Sequence, residues 1–180
     1  MVVQSTMTTE EFETWVRLPE NGERHFELIH GEMVEKMASQ QKHSSVSTAL
    51  CSYVTMHLFQ NDLPGFTTGE TGGYDLGPGQ RFLPDCAYVA EGTPGSEVYS
   101  TQLPALVIEV VSDPSNEREL RHLRNKRESY LKVGATVWEV YPDDALVDIF
   151  TPDGRYRTER DKLAFEGLPG LTIPLSKIFG

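Results

Sequence analysis

Residues 104–116 read PALVIEVVSDPSN, and Glu109 is the one charged residue inside the aliphatic run from Ala105 to Val111. Alternation along a strand puts Glu109 on the face shared by Val107 and Val111, with Ile108 and Val110 on the other. Both faces are apolar, so the carboxylate is expected to be at least partly buried. An isolated buried carboxylate is costly and is tolerated when it is paired or bound to a cation. Pairing with an Arg, or a place at the strand end within reach of water, would explain it without chemistry. Asp85 repeats the oddity in FLPDCAYV, directly after Pro84. Alone, it reads equally as a turn Asp at a strand start. Together, two carboxylates on neighbouring strands can converge on one hard divalent cation such as Mg2+, which prefers oxygen ligands. A cation so held activates water and stabilises in-line attack at phosphorus.

The stretch after Glu109 adds a third component. It carries Arg118, Arg121, Arg124, Lys126, Arg127 and Lys132 against Glu117, Glu119 and Glu128. Arg118, Arg121 and Arg124 are spaced to share roughly one helical face. Such a run is commonly a solvated face with Glu–Arg pairs. The sharper reading is a surface that contacts phosphates beside the metal. The formal net charge of −11 argues against a histone-like or structural nucleic-acid binder. It leaves a nuclease open, because a metal site needs carboxylates and only the contact face must be basic.

The elements that must position these groups follow from periodicity. TMTTEEFETWVRLP reads as a short helix capped by Thr8 or Thr9. RHFELIHGEMVEKMA alternates around Gly31, as a β-hairpin does. Val46, Leu50, Val54 and Leu58 share one face of a helix in QKHSSVSTALCSYVTMHLFQND. Turns, perhaps with short strands between them, fill DLPGFTTGETGGYDLGPGQ. RFLPDCAYVA is a strand candidate, and Pro84 in it suggests an edge or a bulge. LPALVIEVVS is a strand with two apolar faces, so it belongs near the centre of a sheet. DPSNERELRHLRNKRESYLKVG is a helix opened by Ser or Asn and closed by Gly134. TVWEVYP and LVDIFTP are strands joined by DDA, and RYRTER and LAFEG extend that meander. Glu139 in the first of these is expected on an exposed or partner face. The closing LPGLTIPLSKIFG ends in a short helical turn. The order implies an α/β (α+β) fold: a mixed β-sheet flanked by helices, in one domain over residues 1–180.

Other classes find no support. No apolar stretch approaches the ~20 residues of a membrane span. The N-terminus lacks a cationic start and an apolar core, so it does not read as a signal peptide. Cys51 and Cys86, the two cysteines, read as buried thiols rather than a disulfide, and a cytoplasmic protein is the simplest expectation. P-loop, dinucleotide, nucleophile-elbow and zinc patterns are all missing.

Several stretches resemble one family. PD at 84–85, IEVVS at 108–112, Lys126 and Tyr130 in K-x3-Y, and VGATVWEVYPDD are similar to the Uma-type restriction endonucleases of the PD-(D/E)xK nuclease superfamily. FELIHGEMV, KHSSVSTAL and LPGLTIPLSKIF fit the same family. The resemblance implies a restriction-endonuclease-like fold and a metal-dependent phosphodiesterase. Asp85 and Glu109 would be the motif carboxylates, holding Mg2+ or Mn2+ with the backbone carbonyl of Val110. The usual superfamily Lys lies two residues after the Glu, where this chain has Val111. The resemblance moves it to the following helix, onto Lys126, with Arg124 or Arg127 as alternatives if the register differs. Glu27 and His43 stand where the family pattern carries Glu and His. Outside the resemblance, Glu27 reads as hairpin surface, with Glu32 as the other hairpin candidate, and His43 as a helix start. The implied activity is hydrolysis of nucleic-acid phosphodiesters, DNA first, by a homodimer that cuts both strands. The alternative is a nuclease-like module that has lost catalysis and binds nucleic acid or a protein partner.

Overall fold

The computed structural model describes residues 6–38 and 40–180. Helix α1 (Thr9–Val16) starts where Thr8 accepts the Glu11 N–H at 3.2 Å and the Glu11 carboxylate accepts the Thr8 N–H at 2.8 Å. This reciprocal capping box satisfies donors the first turn leaves free. Strands β1 (His25–Ile29) and β2 (Glu32–Lys36) form the expected hairpin. His30 and Gly31 both adopt positive φ, 50° and 82°, as a two-residue turn matching strand twist requires. Helix α2 (Gln41–Gln60) follows, then strands β3 (Phe66–Gly69), β4 (Gly73–Gly77), β5 (Gln80–Phe82) and β6 (Cys86–Val89). The short β7 (Tyr99–Ser100) precedes β8 (Leu106–Val110) and helix α3 (Glu117–Lys132). Strands β9 (Thr136–Tyr141), β10 (Leu146–Phe150), β11 (Tyr156–Glu159), β12 (Lys162–Leu163) and β13 (Ile173–Pro174) complete the chain.

Two larger sheets face each other. One runs β2-β1-β5-β4-β7, the other β11-β10-β9-β8-β6-β3; β12 and β13 pair separately. The expected α+β class is borne out, with two larger sheets flanked by helices where one mixed sheet was expected. In the six-stranded sheet, β8 lies between antiparallel β6 and parallel β9, so it is interior as its two apolar faces require. Leu106, Ile108 and Val110 turn one way and pack with Val46, Leu50, Val54 and Leu58 of α2. Val107 turns the other way and packs with Ile29, Phe82 and Tyr130, between the sheets and α3. Phe12 of α1 covers the outer face of the five-stranded sheet, against Phe26 and Leu28. Asn116 caps α3 by accepting the N–H groups of Arg118 and Glu119, and Gly134 (φ 90°) follows its end. Among the described residues no helix is long and apolar enough to cross a membrane.

Three expectations need correction. RFLPDCAYVA is not one strand: β5 belongs to one sheet and β6 to the other, and the chain crosses between them at Leu83, Pro84 and Asp85. Pro84 cannot donate to a ladder, so the break falls there. LAFEG does not continue the meander; its first residue, Leu163, pairs with Ile173 in a separate two-stranded sheet. Glu139 is not exposed. Its neighbours Trp138 and Val140 face α2, so alternation turns Glu139 toward α3, where it is 1% exposed. There Arg127 Nη1 meets both its oxygens at 3.0 Å. Cys51 and Cys86 are free thiols; Cys86 is buried and Cys51 half-buried.

Candidate active site

The crossing from β5 to β6 fixes the first carboxylate. Asp85 stands directly before β6, whose Cys86 is the register partner of Ile108 in β8. Continuing that antiparallel register sets Asp85 beside Glu109. Asp85 Oδ2 accepts the Val110 N–H at 2.7 Å, which ties the head of one strand to the end of the other. Its Oδ1 accepts from Lys36 Nζ at 2.8 Å, and Lys36 also donates to the Leu83 carbonyl at 2.7 Å. Burial alone would raise the Asp85 pKa. Lys36, His43 and the Val110 N–H more than offset this and hold it below the ordinary carboxylate value.

Glu109 lies on the Val107 face, toward α3. Lys126, from the middle of α3, places Nζ 2.7 Å from Glu109 Oε1 and 2.7 Å from Glu27 Oε1. Tyr130, one turn later, donates its hydroxyl to Glu109 Oε1 at 3.3 Å. Glu27, in the middle of β1, accepts the Leu83 N–H at 2.7 Å as well. Glu27, Asp85, Glu109 and Lys126 are each less than a tenth exposed. Burial pushes the Glu109 carboxyl up to about 7; Lys126 opposes the shift, and the charges of Asp85 and Glu27 add to it. Burial works against the Lys126 ammonium, but Glu109 and Glu27 outweigh it and keep it charged.

His43, in the first turn of α2, points Nε2 at the Val110 carbonyl oxygen and lies 3.5 Å from Asp85 Oδ2. Its Nδ1 is buried without a hydrogen-bond partner among the described residues. The six sequence candidates, Glu27, His43, Asp85, Glu109, Val110 and Lys126, therefore border a single cleft of about 660 Å³. The alternatives lie elsewhere: Arg124 is exposed, Arg127 is committed to Glu139, and Glu32 sits at the cleft mouth opposite Arg118.

Sequence reasoning missed two residues. Lys36 ends an amphipathic hairpin strand and reads as surface; only the crossing at Leu83–Asp85 brings Asp85 to it. Glu70 follows β3 in a glycine-rich turn and carries no signal of its own. In space His43, Glu70 and Asp85 set one ligand atom each within 4.8 Å of one another.

The donor set suits a hard divalent cation. Glu27, Asp85 and Glu109 meet two ammonium groups, with Glu70 close to Asp85, so negative charge exceeds positive when all are ionised. Carboxylate and carbonyl oxygens with an imidazole nearby are ligands for Mg2+ or Mn2+. A cation there would offset the burial that raises Glu109 and the repulsion from Asp85 and Glu27 that adds to it.

The sequence model of the Uma2 family, described as "Putative restriction endonuclease", matches residues 9–176. This chain belongs to the Uma2 family. A crystal structure titled as that of "a putative nuclease belonging to DUF820 from Anabaena variabilis ATCC 29413" aligns with a TM-score of 0.78. It is 18% identical, and the alignment covers 96% of this chain and 97% of that one. At that identity the likeness is one of fold alone. No curated protein matches the chain. The Uma2 assignment agrees with the resemblance read from PD, IEVVS and K-x3-Y.

Proposed function

We propose that this Uma2-family protein is a Mg2+- or Mn2+-dependent endonuclease that hydrolyses phosphodiester bonds of DNA. The observation that supports this best is that Asp85 and Glu109 line one cleft, with Lys126 2.7 Å from Glu109. Asp85, Glu109 and the Val110 carbonyl would hold the cation, with His43 and Glu70 close to Asp85. When bound, the ion supplies water activation and neutralises charge at phosphorus. Lys126 positions an ammonium where negative charge develops on the phosphoryl oxygens. Glu27 orients that ammonium, and Tyr130 holds the Glu109 carboxylate from behind. Lys36 fixes Asp85, and with it the Val110 end of β8. The chain would act as one nuclease domain, and cutting both strands of a duplex calls for two copies, a homodimer in the cytoplasm.

The test is a thermal-shift titration with Mn2+ paired with cleavage of plasmid DNA. Wild type is expected to gain stability with Mn2+ and to nick or linearise the plasmid. Asp85→Asn and Glu109→Gln are expected to lose both. A folded wild type that shows neither a cation-dependent shift nor cleavage would overturn the reading in favour of a non-catalytic binding module.

A further inference from the structure

Residues 118, 122, 126 and 130 recur every fourth position of α3 and form one stripe. The stripe begins at exposed Arg118, passes His122 at 8% exposure, and ends at buried Lys126 and Tyr130. Its inner half belongs to the carboxylate cluster. Its outer half, with Arg121 beside it, does something else. Arg118 Nη2 lies 2.9 Å from Glu32 Oε1, while Arg121 Nη2 and His122 Nε2 lie 3.6 Å and 3.2 Å from Glu32 Oε2. Three nitrogen donors thus converge on one carboxylate at the mouth of the cleft. Burial works to raise the Glu32 carboxyl, but Arg118 and the His122 imidazole outweigh it and hold the group below its ordinary value.

The fit is incomplete. His122 is more than nine-tenths buried, yet among the described residues its Nε2 makes no hydrogen bond of acceptable geometry in spite of the 3.2 Å approach. A planar carboxylate at the start of β2 reaches these groups without aligning with all of them. A tetrahedral oxyanion presents oxygens in several directions and can take two guanidinium groups and an imidazole at once. The nearby acid Glu119 is already engaged by the Ser112 N–H at 2.9 Å, so it does not compete for them. Four residues of helix separate His122 from Lys126, about 6 Å along the axis. Backbone phosphates rise ~3.4 Å along the axis per nucleotide of a DNA strand and wind around it, so an anion at His122 lies within about one or two nucleotides of the group beside Lys126.

We propose that Arg118, Arg121 and His122 form a pocket for one backbone phosphate flanking the reacting one, and that Glu32 fills this pocket until nucleic acid displaces it. The proposal rests on the nuclease reading for its ligand. Glu32 then acts as a built-in competitor that weakens binding in a protein whose charge already disfavours polyanions.

The test measures binding separately from chemistry. A fluorescently labelled short DNA duplex is titrated with protein in EDTA at several salt concentrations, and affinity is read by anisotropy. Glu32→Gln is expected to bind roughly three- to tenfold more tightly than wild type. Arg118→Ala is expected to bind more weakly and to reduce the salt dependence by about one counterion. Glu128→Gln changes net charge by the same amount on an exposed part of α3 and is expected to change affinity little. The pocket is overturned if Glu128→Gln tightens binding as much as Glu32→Gln, or if neither Glu32→Gln nor Arg118→Ala alters it. It is also overturned if no variant binds the duplex. Binding that ignores Glu32, in a protein that still cleaves DNA with Mn2+, sinks the pocket and leaves the nuclease reading standing.

Discussion

Glu109 and Glu139 are register partners on the parallel strands β8 and β9, and consecutive residues of α3 neutralise them. Lys126 takes Glu109 and Arg127 takes Glu139. Two like charges side by side on one sheet face repel, so each needs its own cation. The pairing also separates roles, because the Lys126 ammonium opens on the cleft while the Arg127 guanidinium stacks 4.0 Å from the Phe150 ring.

That separation predicts three different phenotypes. Lys126→Gln is expected to lower the cleavage rate by ~10²-fold or more. Arg127→Ala is expected to cost about 2–4 kcal/mol of stability, because it leaves Glu139 buried and unpaired, while the folded fraction still cleaves. Arg124→Ala should leave both close to wild type. Urea unfolding and a Mn2+-dependent plasmid assay on the three variants decide it. Loss of cleavage in Arg124→Ala with Lys126→Gln active would move the basic role to Arg124.

Glu139 also predicts a pH dependence. Burial raises its pKa above the ordinary value of 4.5, against the pull of Arg127. The folded state holds this proton more tightly than the unfolded chain does. The contribution to stability is therefore full below the unfolded pKa and is lost as pH rises through the higher folded value. Glu139→Gln has no such loss. Its unfolding free energy relative to wild type should grow as pH rises from about 4 and then level off. Urea denaturation across a pH series measures this; a difference that stays flat with pH would contradict it.

How much of this was legible depends on what each residue's signal was. Asp85 and Glu109 stood out because a charge in an apolar strand needs a reason, and alternation alone gave Glu109 its face. Lys126 came from likeness to a family, since charge counting along α3 does not distinguish it from Arg124 or Arg127. The crossing at Pro84 was half legible: proline announced an interruption, but periodicity does not say which sheet a strand joins. Lys36 depends on that crossing, so nothing local marks it. Glu139 was misplaced because a lone acid in a strand with a turn to follow looks solvated until the helix that covers it is known.

Lys36 supplies a test of the cation site that does not rely on activity. Its ammonium is 2.8 Å from Asp85 Oδ1 and its side chain is 17% exposed. Lys36→Met is expected to cost about 2–4 kcal/mol, below the range for a fully buried pair because water reaches the ammonium. Mn2+ should then stabilise the variant more than it stabilises wild type, because the ion no longer competes with an ammonium for Asp85. Urea unfolding with and without Mn2+ reads both effects. A variant that gains no more than wild type would separate Asp85 from the cation.

Glu27 is expected to be structural and electrostatic at once, and two substitutions separate the parts. Its Oε1 accepts the Leu83 N–H at the crossing between sheets, and the same oxygen faces Lys126. Pro84 removes the next donor, so Leu83 carries the last N–H before Asp85. Glu27→Gln keeps an acceptor there and should unfold near wild type. Glu27→Ala leaves a buried N–H unsatisfied and should cost about 1–3 kcal/mol. Both variants free Lys126 from one of its two carboxylates, so both should lower cleavage even though only one lowers stability. Equal stability of the two variants would show that the Leu83 bond contributes nothing. Full cleavage by Glu27→Gln would show that Lys126 is positioned by Glu109 alone.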